Sequence, residues 1–351
     1  MSIRLRPLAE QVVVVTGASS GIGLVTATKF AAAGARVMLA ARNERDLEAA
    51  VTRIRRDGGR AVYLATDVSD AEQVERLGDA AIAEFGDLDT WVNNAGVSIY
   101  GRSTEIPLAD MRRQFDVNYW GQVHGMLTAV RLMRRRGGAL INVASAVADR
   151  AIPLQGNYCA TKHAIKGFTD TLRMELEEED IPISVTLVKP GSIDTPLFAK
   201  AKSFLGVEPQ PIPPVYAPEV VARAILAAAQ RPIRDVIAGG MGKVVSLGEK
   251  LSPRLTDRYM ERTTFDSQAT TEALQQGRTD NLYEPVEHDG GERGHFDGRV
   301  HEHSAYTEAV LHPKAATAIA AGGAVAALML KRRLARGHAE AESQPEPPRA
   351  D

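Results

Sequence analysis

Gln11-Val-Val-Val-Val-Thr-Gly-Ala-Ser-Ser-Gly-Ile-Gly23 decides how this chain folds. The run Gln11 to Thr16 is short, continuous and β-branched, as expected for a central parallel strand covered on both faces. Glycines follow at once, and an Ala-rich helix runs on to about Ala33. A strand, a glycine-rich turn and a helix start together make an anion site. The glycines let the backbone approach a diphosphate, and the helix N-terminus offers free N–H groups and positive potential. The spacing is Gly-x-x-x-Gly-x-Gly, not the commoner Gly-x-Gly-x-x-Gly.

The same alternation continues outward. Ala35–Ala40, Ala61–Ala65, Leu88–Val92, Ala139–Ala144, Pro182–Val188 and Asp235–Ala238 read as strands, separated by helical stretches. One such stretch, Glu44 to Asp57, stops at Gly58-Gly59. The pattern predicts an α/β fold: a Rossmann-type, doubly wound parallel sheet of about seven strands with helices on both faces. Arg42 stands at the end of the second strand, where an acid would bind the 2′-hydroxyl of NAD and an arginine would accept the 2′-phosphate of NADP. The acid is missing, so NADP is favoured over NAD.

Ser145 follows the fifth strand, and Tyr158 and Lys162 lie four residues apart at the start of a helix. That spacing puts both side chains on one face. An ammonium beside a phenol favours the phenolate, and a hydroxyl, a phenol and a cation suit proton transfer at a carbonyl or alcohol oxygen. A helix from about Leu108 to Arg135 carries Asn118 in mid-course, where asparagine is a mediocre helix former; it either faces solvent or bends the helix and holds a water. Cys159 lies about 100° around the helix from Tyr158 and reads as packing.

Thr16-Gly-Ala-Ser-Ser-Gly-Ile-Gly23, Asp67-Val68, Asn93-Asn-Ala-Gly96, Asn118, Ser145, Tyr158-x-x-x-Lys162 and Pro190-Gly-x-x-x-Thr195 occur in that order. Over roughly residues 8 to 240 the chain resembles the compact, single-domain branch of the short-chain dehydrogenases/reductases. The resemblance implies an oxidoreductase that moves a hydride between NADP(H) and a carbonyl or carbinol carbon. It implies Tyr158 as acid and base, Lys162 on the nicotinamide ribose and lowering the phenol's pKa, Ser145 on the substrate oxygen, and Asn118 holding a water on a proton path. It assigns Gly17, Ser19, Gly21 and Ile22 to the phosphates and ribose, Arg42 to the 2′-phosphate, and Asp67 and Val68 to the adenine. Asn94 and Gly96 fall along the ribose, and Ile193 and Thr195 near the carboxamide. Many NADP-using relatives carry a second basic residue inside the glycine turn; Ser20 stands there in this chain.

Val147, Ile152, Pro153, Leu154, Leu197 and Phe198 are expected to touch the substrate, which points to a small apolar ketone, aldehyde or alcohol. Residues 196–217 have no regular period and read as a lid or substrate-binding loop. Relatives often pair through the helices carrying Asn118 and Tyr158, which implies a homodimer or homotetramer.

The chain has 351 residues, 44% of them hydrophobic, with a formal charge of −2, which excludes nucleic acid as the expected main partner. A single cysteine excludes an intrachain disulfide, and no apolar run precedes the first strand, so a cytoplasmic location is expected. The catalytic domain is set at residues 1–240. Residues 241–312 form a polar, largely irregular extension, with one or two helices broken at Pro253. His295, His301 and His303 invite a metal hypothesis, since His-x-His can ligate zinc, but no cysteine and no carboxylate at a fixed helical spacing joins them, so no metal site is expected. Residues 313–336 hold an apolar helix with a basic flank, and 337–351 a disordered tail. The run Ala315–Leu330 is short for a membrane span, which needs about 20 residues. Spanning a membrane, lying on its surface and packing on a partner all stay open for it. The alternative to an enzyme is a non-catalytic dinucleotide-binding scaffold or redox sensor whose tail recruits a membrane or a partner.

Overall fold

The computed structural model describes residues 3–240, 248, 252–274, 277–313 and 317. The run Ala315–Leu330, apart from Thr317, and the tail 337–351 lie outside the described residues. Among the described residues, no helix is long and apolar enough to cross a membrane. The sheet and the candidate site lie in a compact unit made of residues 1–307; residues 308–351 fall into a second unit.

Seven parallel strands form the central sheet: β1 (Val12–Thr16), β2 (Arg36–Ala41), β3 (Arg60–Ala65), β4 (Thr90–Asn93), β5 (Gly138–Val143), β6 (Ile183–Pro190) and β7 (Asp235–Ala238). Their order across the sheet is β7-β6-β5-β4-β1-β2-β3. All five residues of β1 are buried, as its valine run requires. It sits between β2 and β4, with Val13 opposite both Val37 and Thr90. The chain order reverses there, which opens a crevice beyond the C-terminal strand ends.

Helices α1 (Gly21–Ala32), α2 (Glu44–Arg56) and α7 (Pro218–Ala228) pack together. Helices α3 (Ala71–Phe85), α4 (Leu108–Phe115), α5 (Gly121–Met133) and α6 (Gly156–Glu178) form a second group. Val74 and Leu77 of α3, Met126 and Met133 of α5 and Leu172 of α6 share a core with Val14, Trp91 and Leu140 of the sheet. The single helix expected from Leu108 to Arg135 is in fact α4 and α5 joined by a π turn, Asp116–Trp120, with fully buried Asn118 inside it.

The extension is more ordered than its composition predicts. Helix α8 (Pro253–Ser267) begins with proline at its first position, where a missing N–H costs nothing. Ala269–Ala273 pairs antiparallel with Val207–Pro209, and Val300–His301 pairs parallel with Val215–Tyr216. Val215–Tyr216 also pairs with Ser192–Ile193 just after β6. Among its described residues, the extension is tied down by this backbone pairing with the stretch 192–216 and by Leu282, which is buried in the main core. His301 packs on the Tyr216 ring at 5.5 Å. Among the described residues, no group of three or more His, Cys, Asp or Glu stands in a metal-binding arrangement.

Candidate active site

The glycine turn is closed from both sides. Gly17 adopts φ +65°, which glycine tolerates best, and a Cβ there would lie 2.7 Å from the Cα of Ala95. A Cβ on Gly23 would lie 2.1 Å from the carbonyl oxygen of Gly17. Asn94 donates from Nδ2 to the carbonyls of Thr16 (3.0 Å) and Gly17 (3.2 Å), so the end of β4 braces the turn. Ser20 precedes α1 in extended backbone, and its hydroxyl makes no capping bond.

Arg42 leaves the end of β2 and donates to the carbonyl oxygens of Tyr283 (2.7 Å) and Asn281. Burial lowers its pKa, but a guanidinium stays charged. Burial alone would raise the Asp67 carboxyl; hydrogen bonds from Arg113 (2.7 Å) and from the Ser69 hydroxyl and N–H hold it below the usual range.

Ser145 caps the short turn Ala146–Ala148. Its Oγ accepts from the Val147 N–H at 3.3 Å and donates to the Pro190 carbonyl at 3.4 Å. It also hydrogen-bonds the phenol of Tyr158. Tyr158 and Lys162 project from the first turns of α6, with Nζ 5.4 Å from the ring centre. Nζ donates to the Val143 carbonyl at 3.2 Å. The expected acidification of the phenol is not seen: burial pushes Tyr158 well above its ordinary value, with the Ser145 bond only partly opposing it. Burial also brings the Lys162 ammonium down to about 8. Desolvation by the surrounding protein is the largest cause for both groups. Cys159 is buried against Ile152, a packing position.

Asn118 stands behind the site. Its Oδ1 accepts from the Val97 N–H at 2.8 Å, and Nδ2 donates to Val97 O (3.0 Å) and Thr161 Oγ1 (3.3 Å). Both Nδ2 hydrogens are used, while Oδ1 keeps one acceptor position beyond the Val97 N–H.

One cavity of about 610 Å³ joins these parts. Ser145, Tyr158, Lys162, Gly17, Ser19, Gly21, Ile22, Arg42, Asp67, Val68, Asn94, Gly96, Ile193 and Thr195 all line it; Asn118 does not. Of the expected substrate contacts, Val147, Ile152, Leu197 and Phe198 reach the cavity, whereas Pro153 and Leu154 are absent from its wall. Tyr100, Ile212, Tyr216 and Met260 also line it, beside polar Gln155, Gln210 and Thr263, and the sequence reading missed them. Lys200 and Asp289 were missed too, although both line the cavity and Lys200 reaches Ser20 of the glycine turn. The one sequence signal for Lys200 was the vacant basic position at Ser20. The residues fit a dinucleotide: the glycine cradle admits no side chain, Arg42 supplies a cation, and the volume matches small-molecule sites.

Residues 11–205 match the family model for short chain dehydrogenases. An uncharacterized oxidoreductase, YxnA of Bacillus subtilis (strain 168), is 43% identical over 327 residues, 91% of this chain and 90% of that one, a share that must include much of the extension. The fatty acyl-CoA reductase of Acinetobacter baylyi is 32% identical over 71% of this chain and 83% of its own. Among solved structures, an alcohol dehydrogenase from the archaeon Thermococcus sibiricus, complexed with 5-hydroxy-NADP, is 27% identical with a TM-score of 0.57. The match covers 65% of this chain and 95% of that one. With the family model covering more than half its length and a full-length relative beside it, the chain belongs to the short chain dehydrogenase family of oxidoreductases.

Proposed function

We propose that this protein is an NADP(H)-dependent carbonyl reductase or alcohol dehydrogenase acting on a small apolar substrate, with Tyr158 as its acid and base. One observation carries the reading. The Ser145–Tyr158–Lys162 group and the glycine turn with Arg42 lie along one cavity whose further wall joins apolar Tyr100, Phe198, Ile212 and Met260 to polar Gln155 and Thr263. The 5-hydroxy-NADP of the Thermococcus sibiricus enzyme supports the choice of NADP, and the fatty acyl-CoA reductase supports an apolar substrate. The test is binding of NADPH against NADH, followed by NADPH oxidation with a panel of apolar ketones and aldehydes. Preference for NADPH and turnover of at least one compound are expected. Tight NADPH binding with no turnover across the panel would favour the scaffold.

A bound nicotinamide dinucleotide supplies the hydride. The protein's own task is the proton. With its pKa raised by burial, Tyr158 is protonated at neutral pH and donates through its phenol to a carbonyl oxygen that Ser145 also holds. Lys162 is largely an ammonium below pH about 8, and its charge favours the phenolate left behind. Asn118 would hold a proton-path water through the remaining acceptor position of Oδ1 or through the backbone of its π turn.

A pH dependence follows. Raising the pH through about 8 removes the Lys162 charge. The kcat/KM for ketone reduction should fall about tenfold per unit above that point, since this parameter reports groups of the free enzyme. Measuring kcat/KM from pH about 6 to about 10 checks it, and a flat profile would contradict it.

We also propose self-association through the faces of α5 and α6. Leu127 of α5, Met174 of α6 and Trp120, which ends the π turn just before α5, are about half exposed. Sedimentation should give a dimer or tetramer, and a Leu127→Glu variant should shift toward monomer.

A further inference from the structure

Lys200 has no place in the site as the family motifs define it, yet it is among the best-placed cations in the cavity. It ends the short helical turn Leu197–Lys200 and is largely buried. Its Nζ donates to Ser20 Oγ at 2.8 Å and to Asp289 Oδ1 at 2.9 Å. Ser20 leaves the α1 N-terminus uncapped, so its hydroxyl is free to take that bond. The Lys200 carbonyl accepts from the Asn281 N–H at 3.0 Å and the Asn281 carbonyl accepts from Arg42, so the two cations flank one residue of the extension. An ammonium from 180 positions later in the chain thus reaches the point inside the glycine turn where this sequence has no basic side chain.

The acceptors around that corner come from the extension. Arg42 donates to the carbonyls of Asn281 and Tyr283, Lys200 to the Asp289 carboxylate, and the Gly21 N–H to the Gly291 carbonyl at 2.8 Å. Each of these donors faces the same cavity. Buried donors need partners, and here the segment 281–291 supplies them at positions an anion would also satisfy.

We propose that Lys200 is a second cation for the adenosine 2′-phosphate, and that Asp289 is an internal acid which holds this ammonium until a phosphate takes its place. The inference rests on the NADP reading above. It makes the extension part of cofactor selection: Asp289 weakens the phosphorylated dinucleotide, and Lys200 favours it.

Isothermal titration of the full chain with adenosine 2′,5′-bisphosphate and adenosine 5′-phosphate isolates the 2′-phosphate without any turnover. Lys200→Gln should weaken the bisphosphate about 10- to 100-fold, the worth of one charge-assisted hydrogen bond, and leave the monophosphate within about twofold. Asp289→Asn should tighten the bisphosphate several-fold and leave the monophosphate unchanged. Adding Ser20→Arg to Lys200→Gln should restore bisphosphate affinity by returning a cation to the same corner, which also shows that the lysine variant is folded. Equal losses for both nucleotides, or none for either, would overturn the role of Lys200. An unchanged or weaker bisphosphate with Asp289→Asn would overturn the role of Asp289. Arg42→Gln separates this from the parent reading. If the unaltered protein binds both nucleotides alike, the NADP reading itself fails. If it prefers the bisphosphate, and Arg42→Gln removes the preference while Lys200→Gln keeps it, only the present inference fails.

Discussion

Tyr158→Phe is expected to lower turnover by about 10²- to 10⁴-fold while leaving NADPH affinity within a few-fold. The substitution removes one oxygen and keeps the ring. The ring continues to pack beneath Lys162, whose Nζ lies 5.4 Å from its centre. Lys162 keeps its bond to the Val143 carbonyl. Ser145 loses the phenol but keeps the Val147 N–H and the Pro190 carbonyl, so no buried hydroxyl is orphaned. Little structural cost is left to confuse the reading, and the loss falls on proton transfer. Steady-state kcat with NADPH and an accepted ketone, paired with a fluorescence titration of NADPH, checks both halves. Undiminished kcat would remove Tyr158 from the chemistry. Lost NADPH affinity would make its role one of building the site.

The parts of the site that depend on local pattern were legible in the sequence. Tyr158 and Lys162 share a face because helical spacing puts them there, and the valine run of β1 announces a buried strand before its glycines announce a turn. Asn118 was conspicuous as a poor helix former, and the π turn around it is the physical reason it is tolerated. Two things could not be read. The first is the balance of charge between Tyr158 and Lys162, which depends on how much water each group keeps, a property of the folded cavity and not of spacing. The second is the return of the extension to the cavity. Asn281, Tyr283 and Gly291 act there through backbone carbonyls, which every residue possesses, so their identities carry no signal. The polar composition that read as irregular carries no sign of this pairing, because strand partners meet through backbone groups common to every residue.

Gly23→Ala is expected to abolish dinucleotide binding in practice, with affinity down about 100-fold or more, and to lower stability by about 1–3 kcal/mol, the usual cost of overpacking. The added methyl would sit 2.1 Å from the Gly17 carbonyl oxygen and 2.7 Å from Asn94 Nδ2. Neither neighbour can yield cheaply. The Gly17 carbonyl is backbone, and Gly17 is itself pressed against Ala95. Asn94 is tied to the Thr16 and Gly17 carbonyls. The turn must open or α1 must slide, and α1 is anchored by the fully buried Ala27 and Phe30. Opening the turn is the easier route, and it moves the backbone that faces the phosphates. At about 2–4 °C per kcal/mol for a domain of this size, the midpoint of thermal unfolding should fall by roughly 2–12 °C. Gly58→Ala is the control: Gly58, unlike Gly23, has a positive φ, +87°, but nothing lies within 4 Å of a Cβ there. It should cost about 1–2 kcal/mol in backbone strain and leave NADPH binding intact. Calorimetric scans and NADPH titrations of both variants separate the two effects. If Gly23→Ala binds NADPH as Gly58→Ala does, close packing of the turn is not what shapes the phosphate site.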